Sequence, residues 1–146
     1  MKKCKQYFKY SNIIIISLII SAIIASTGCA TLSHKENKGP KLGAPTVFQK
    51  ILNNMPPVQI SGKSTKFQFG GDGWIARVEG RPISGGTFAT EETAGKTIIK
   101  LTPTHTYSTQ KNPATKKEIG WVKNSGGRVI ILEYSPGPPA SMVPRS

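Results

Sequence analysis

Short runs of alternating apolar and polar residues, separated by glycine-rich turns, constrain the fold of this chain most strongly. Residues 65–69 alternate, residues 70–73 form a glycine-rich turn, and residues 74–79 alternate again. Successive side chains of a strand point to opposite faces, so two such runs around a tight turn predict an antiparallel hairpin. Four further strands are predicted, over residues 83–90, 96–107, 118–123 and 128–134.

One short helix precedes the predicted strands. Apolar residues between positions 46 and 54 recur with helical spacing, Thr46 is a suitable N-cap, and Pro56-Pro57 ends the run. Gly85-Gly86 predicts a bulge or a sharp bend. At Pro103 the strand must break, bulge or lie at an edge of the sheet, because proline donates no ladder hydrogen bond. The sequence therefore predicts an all-β domain, a small antiparallel meander or barrel of about six strands with one N-terminal helix.

A loose resemblance to known proteins covers residues 65–102. The elements that carry it are Phe67-Gln68-Phe69 before Asp72-Gly73-Trp74, then Gly86-Thr87-Phe88, then the Thr-rich run at 97–102. This series is similar to the lipocalin-like β-meander domains of small bacterial lipoproteins. The resemblance implies a curled meander and says more about fold than about function.

The first 28 residues have the order of a secretory signal peptide. Lys2, Lys3, Lys5 and Lys9 form a basic start without an acid, and residues 13–25 are almost wholly apolar. A membrane-spanning helix needs about 20 apolar residues, so this run is closer in length to the core of a signal peptide. A retained transmembrane anchor remains the alternative. We expect the chain to be exported.

The residues around Cys29 resemble the lipobox of bacterial lipoproteins. Small residues, Ser26-Thr27-Gly28, precede the cysteine, although that family usually has leucine at the position of Ser26. The resemblance implies a diacylglyceryl group on Cys29, cleavage before it, and attachment to a bacterial membrane, either the outer membrane or the cell surface in a two-membrane cell. Ordinary signal-peptidase cleavage is the alternative. Cys4 would be removed, so Cys29 would have no disulfide partner.

The expected layout is a signal peptide at 1–28, a lipid-anchored flexible tether at 29–44, the β-domain at 45–135 and a loose proline-rich tail at 136–146. The chain has 20 basic and seven acidic residues, and removal of four signal-peptide lysines leaves a net charge of +9. Such an excess favours anionic envelope surfaces, while export argues against nucleic acid as a partner.

Residue patterns for catalysis or metal binding are weak. Gly62-Lys63-Ser64 lacks the earlier glycine of a phosphate-binding loop, and His34 and His105 are too far apart to indicate a metal site. No serine stands in a nucleophile elbow. Single acids are scattered along the predicted strands and turns: Asp72, Glu79, Glu91, Glu92, Glu118 and Glu133. We expect neither an enzyme nor a cofactor, and an activity built on His105 is the least favoured hypothesis.

Trp74 and Trp121 are the remaining candidates for a binding site. Large aromatic residues on alternating strands are usually core residues, but an outward-facing tryptophan would anchor a hydrophobic or carbohydrate ligand. The first hypothesis is therefore a non-catalytic envelope lipoprotein that binds a ligand or partner. The second is an inhibitor or accessory protein that acts on another protein, for which a rigid loop at 109–117 would be the contact.

Overall fold

The computed structural model describes residues 38–124 and 126–145, which form one antiparallel sheet and one helix. The predicted signal peptide, Cys29 and residues 30–37 lie outside the described residues. The elements in chain order are α1 (Val47–Asn53), β1 (Val58–Ile60), β2 (Lys63–Gly70), β3 (Gly73–Val78), β4 (Arg81–Thr93), β5 (Lys96–Lys111), β6 (Glu118–Lys123), β7 (Ile130–Ser135) and β8 (Ser141–Pro144). The predicted all-β class is confirmed, with eight strands in place of about six.

The strands form a nearly closed, barrel-like sheet. Their order is β1-β2-β3-β4-β5-β7-β8, and β8 approaches β1 at the seam. The long strand β5 has two partners on one side, because Thr97–Leu101 pairs with β7 and His105–Lys111 pairs with β6. The predicted bulge is present where the β4–β5 register shifts between Gly85 and Gly86, opposite Pro103 and His105.

Two strands were not predicted. β1 has only three residues, and β8 lies in the segment that was expected to be a loose tail. β8 pairs with β7 from Ser135↔Ser141 to Leu132↔Pro144, and its Met142 side chain is buried in the core. The proline-rich segment before Ser141 therefore connects two paired strands, and burial of Met142 stabilises the second one.

Aromatic and aliphatic side chains from alternate strand positions fill the core of the barrel. The largest fully buried side chains are Trp74, Phe67, Phe69, Leu52, Ile99, Leu101 and Leu132. Trp74 has no exposed surface, and its indole Nε1 donates a hydrogen bond to the Thr87 carbonyl oxygen at 2.8 Å. Its single polar atom is thereby satisfied, as burial of an indole requires.

Polar side chains of α1 fix the helix to the edge of β2. The predicted N-cap is confirmed: the Thr46 hydroxyl accepts from the Gln49 N–H, and the Gln49 side chain accepts from the Thr46 N–H. The Asn53 side-chain amide donates to the Phe69 carbonyl oxygen at 3.0 Å, and its oxygen accepts from the Phe69 N–H at 2.7 Å. Asn53 thus replaces a neighbouring strand where β1 has ended.

Residues 38–44, here called the strap, lie against the outer face of the sheet. The Gly43 N–H donates to the Gly70 carbonyl oxygen at 3.0 Å. A Cβ atom at Gly73 would overlap the Lys41 carbonyl oxygen, so glycine there permits the close approach of the two backbones. The tether was predicted to be flexible as far as Ala44, whereas its described part is bound to the barrel.

Candidate functional site

The second half of β5 and strand β6 form a hairpin that extends past the last residue pair between β4 and β5. β4 pairs with β5 only as far as Thr106, while β5 continues to Lys111. The connecting loop is ordered by Asn112, whose N–H donates to the Lys117 carbonyl oxygen at 2.8 Å and whose side-chain oxygen accepts from the Ala114 N–H at 2.8 Å. We call residues 105–123 the projecting hairpin.

Three aromatic rings meet on one face of the projecting hairpin. Tyr107 and Trp121 are directly opposite in the register, and their ring centroids are 5.4 Å apart at an interplanar angle of 86°. His105, two residues before Tyr107, places its ring 6.5 Å from that of Trp121 at 89°. Residues two apart in a strand share a face, so alternation places His105 and Tyr107 together, and the β5–β6 register adds Trp121 beside them.

This face belongs to the outside of the barrel. His105 is paired with Gly85, and a Cβ atom at Gly85 would meet the Pro40 side chain of the strap. The first residues of the strap continue onto the hairpin, where a Cβ atom at Gly39 would overlap the indole ring of Trp121. The strap therefore forms one wall of a cleft beside the aromatic rings.

The cleft encloses about 340 Å³ and combines apolar and polar groups. Its lining residues are Lys38, Gly39, Tyr107, Glu118, Ile119, Gly120 and Trp121. Tyr107 and Trp121 are half-buried, and 43% of Ile119 is exposed. An apolar surface flanked by a carboxylate and an ammonium group suits the side chains or backbone of another protein.

A hydrogen bond across the cleft raises the pKa of Tyr107. The Tyr107 hydroxyl donates to Glu118 Oε2 at 3.1 Å. This hydrogen bond raises the pKa of Tyr107 above its usual value of 10.0, and partial burial and the negative charge of Glu118 act in the same direction. The charge of Arg81 opposes the shift. The phenol therefore keeps its proton to a higher pH than an ordinary tyrosine and remains a hydrogen-bond donor within the cleft.

The two predicted tryptophans are not brought together. Trp74 faces the core opposite Gly86 and has no exposed surface, so it is a core residue. Trp121 lies outside the buried core and lines the cleft. The two side chains therefore do not enclose a common apolar cavity, which is the arrangement that would have favoured ligand binding between them.

His105 is placed without an acidic partner in the part of the chain that the structure describes. Its Nδ1 lies 2.8 Å from the Thr104 hydroxyl oxygen, and its ring packs edge-on against Trp121. A catalytic histidine is normally oriented by a hydrogen-bonded carboxylate or carbonyl group. The surroundings of His105 are those of a surface aromatic residue.

Sequence reasoning did not predict that Tyr107, Glu118 and Ile119 lie together with Trp121 in a binding cleft. It considered Glu118 only as one of the scattered acids. A signal was present in the sequence. His105 and Tyr107 are the only aromatic residues of the otherwise polar run 104–111, and their spacing of two puts both on the same face of the strand. The contact with Trp121 was not predictable, since it depends on the register between β5 and β6 and on the bulge between Ser108 and Lys111.

Within residues 38–124 and 126–145, no group of three or more histidine, cysteine, aspartate or glutamate residues could hold a metal ion. No helix in these described ranges is long and apolar enough to cross a bilayer. No protein-family model matches the sequence, no curated protein matches it, and no solved structure matches its fold.

Proposed function

We propose that this chain is an exported, non-catalytic envelope protein, anchored by a lipid on Cys29, that binds another protein through the cleft of its projecting hairpin. The observation that carries the proposal is the pair of half-buried aromatic side chains, Tyr107 and Trp121, on a hairpin outside the barrel core. Tryptophan and tyrosine contribute much of the binding energy in protein interfaces, because they bury large surfaces at low entropic cost.

The filled interior supports binding at the outer surface instead of inside the barrel. Phe67 packs against both Phe69 and Trp74, with ring centroids 6.3 and 6.0 Å apart. Leu52 of α1 is also buried in this cluster and is only 1% exposed. A ligand inside the barrel would have to displace these side chains, at the cost of several kcal/mol for each aromatic residue moved.

A second candidate is an inhibitor or accessory protein that inserts the tip of the hairpin into another protein. The ordered loop at 112–117 favours it, since a loop held in its bound conformation loses little entropy on binding. The tip carries Lys111, Lys116 and Lys117, so its target would be acidic.

The lipid anchor is tested by metabolic labelling with a fatty-acid analogue. The chain should be labelled, and a Cys29→Ser variant should not be. An unlabelled wild-type chain would refute the anchor, and an unchanged variant would place the modification elsewhere. Either result leaves the binding role of the cleft to be judged separately.

The cleft is tested by site-specific photo-crosslinking in cells. A crosslinker at Ile119, in the cleft, should form a discrete adduct with one protein, whereas one at Val143 should not. Val143 is a matched control, because the two residues are 43% and 48% exposed but lie on β6 and β8. Trp121→Ala should abolish the adduct. Equal adducts at both positions would contradict the proposal, and an adduct at Pro113 alone would favour the second candidate.

A further inference from the structure

Three strand connections emerge at the same end of the sheet, because alternate connections of an antiparallel meander lie together. They are the β1–β2 turn, the β3–β4 turn and the β5–β6 loop. We call residues 61–66, 77–81 and 111–118 the hairpin end. It has two acids, Glu79 and Glu118, and seven basic residues. The basic residues are Lys63, Lys66, Arg77, Arg81, Lys111, Lys116 and Lys117.

The basic residues of the hairpin end are not neutralised by ion pairs within the described residues. The described residues contain two ion pairs, Lys96–Glu133 at 2.6 Å and Lys100–Glu91 at 3.7 Å. Both join the first half of β5 to a neighbouring strand, at the end of the barrel opposite the hairpin end. The charged groups of this barrel are therefore segregated, with compensated charge at one end and an uncompensated positive field at the other.

One pair of basic residues is placed in an unfavourable position. Lys66 lies directly opposite Arg77 in the β2–β3 register, and like charges at opposed positions destabilise a sheet. The Lys66 ammonium group donates to the Met55 carbonyl oxygen, which holds it in place. These two residues and Lys63 line an open groove of about 520 Å³, which also includes Ser64 and one acid, Glu79. The three basic side chains outnumber this single carboxylate. A phosphate group is a ligand that such donors suit, since its oxygens accept from all of them.

The strap shows on which side of the barrel the described part of the chain begins. It begins at Lys38 and Gly39, beside Trp121 and the cleft, and runs away from the hairpin end to Gly43 at the β2–β3 turn. The chain thus enters the barrel from the side of the projecting hairpin. Lys38 is nine residues after Cys29, and nine residues span at most about 30 Å.

We propose that the hairpin end docks on anionic phospholipid headgroups of the membrane that holds the N-terminus. The inference rests on the proposed anchor at Cys29, and it adds a second contact between the protein and that membrane. The two acyl chains of the diacylglyceryl group hold the N-terminus at the membrane, and each basic residue near an anionic surface adds an attraction that also orients the barrel. Lysines at the tip of the projecting hairpin meet the surface, and the groove of Lys63 and Arg77 accepts a headgroup phosphate.

The test uses the full-length chain reconstituted into vesicles of phosphatidylcholine, with or without phosphatidylglycerol. A membrane-impermeant acylating reagent and mass spectrometry measure the reactivity of each lysine. Lys111, Lys116 and Lys117 should become roughly threefold or more less reactive when phosphatidylglycerol is present, and salt should reverse the effect. Lys50 and Lys100, exposed outside the hairpin end, provide the internal reference.

Matched charge reversals complete the test. Lys111→Glu/Lys116→Glu/Lys117→Glu should abolish the phosphatidylglycerol-dependent protection of Lys63, whereas Lys41→Glu/Lys50→Glu/Lys100→Glu should preserve it. Both triple variants change exposed side chains and alter the net charge equally. Equal loss of Lys63 protection in both variants would mean that binding depends only on net charge, and it would overturn the proposal.

Two further outcomes are decisive. Protection of the hairpin lysines in phosphatidylcholine alone would indicate contact with another copy of the protein, and would also overturn the proposal. The mass of the reconstituted chain reports acylation of Cys29 independently. Protection without acylation would refute the anchor and retain the docking surface, because residues 13–25 can hold the chain in the vesicle. Acylation of Cys29 without protection of the hairpin lysines would retain the anchor and overturn the docking proposal.

Discussion

Replacement of Asn53 by alanine should destabilise the barrel far more than replacement of its neighbour Asn54. The Asn53 side chain makes two hydrogen bonds to the backbone of Phe69, at 2.7 and 3.0 Å, and Phe69 is only 1% exposed. Alanine would leave a buried N–H and a buried carbonyl oxygen without these partners. Asn54 is exposed and has helical backbone angles at the C-cap, so alanine is tolerated there.

The expected magnitude follows from those two bonds. Loss of each neutral hydrogen bond costs about 1 kcal/mol, and incomplete solvation of the exposed backbone groups adds about 1 kcal/mol in total. The better helix propensity of alanine offsets roughly 0.5 kcal/mol. The net loss for Asn53→Ala is therefore about 2 to 3 kcal/mol, which lowers the urea midpoint by about 1 to 1.5 M at a slope near 2 kcal/mol per M.

Equilibrium urea unfolding measured by circular dichroism tests this expectation. Asn54→Ala is the control, since it makes the same chemical change one residue later. Asn53→Asp provides a second check: it keeps the acceptor for the Phe69 N–H but brings a negative charge to the Phe69 carbonyl oxygen, so its destabilisation should lessen in acid. Midpoints for Asn53→Ala and Asn54→Ala that agree within about 0.3 M would refute the role assigned to Asn53.

Three further predictions concern the strap, the cleft and the helix. Gly73→Ala should push the Lys41 backbone, and with it the strap, away from the sheet, with a loss of about 1 to 3 kcal/mol and new protease cleavage within the strap. An intact, resistant strap would contradict this. In a spectrophotometric titration, Tyr107 should ionise above pH 10.0, and Glu118→Gln should lower its pKa. Because the folded-state pKa is raised, the stability that the Tyr107–Glu118 hydrogen bond contributes is present below pH 10.0 and is lost as the pH rises through the folded-state pKa. An unchanged Tyr107 titration in Glu118→Gln would show that Glu118 does not cause the shift. Thr46→Ala should remove the capping box and cost about 1 kcal/mol in thermal unfolding, and an unaltered melting temperature would argue against it.

Local patterns made much of the fold predictable. The hairpin of β2 and β3 follows from period-two alternation on either side of a glycine turn, and the start of α1 follows from Thr46, because capping and turn formation depend on residues a few positions apart. The bulge at Gly85-Gly86 was predictable for the same reason. β1 and β8 were not, since three or four residues carry too little periodicity and acquire strand structure only through their partners.

The cleft required the tertiary structure for a similar reason. Its walls come from the strap, from the second half of β5 and from β6, which are far apart in the chain. The strap was predicted to be a flexible tether because its residues are polar and turn-prone. It lies on the sheet because Gly70 and Gly73 lack side chains that would exclude it, a property of the strands and not of the strap itself.

The sequence by itself determined the all-β meander, its single helix and which side chains alternate along each strand, because these properties depend on near neighbours. Only the tertiary structure decided the different fates of the two tryptophans. Trp74 and Trp121 both stand in alternating strands. Trp74 faces inward where β3 is paired on both sides, whereas Trp121 belongs to β6, which pairs only with β5 and leaves the tryptophan outside the buried core. Burial depends on which face the sheet closes over, and that is a property of the whole register.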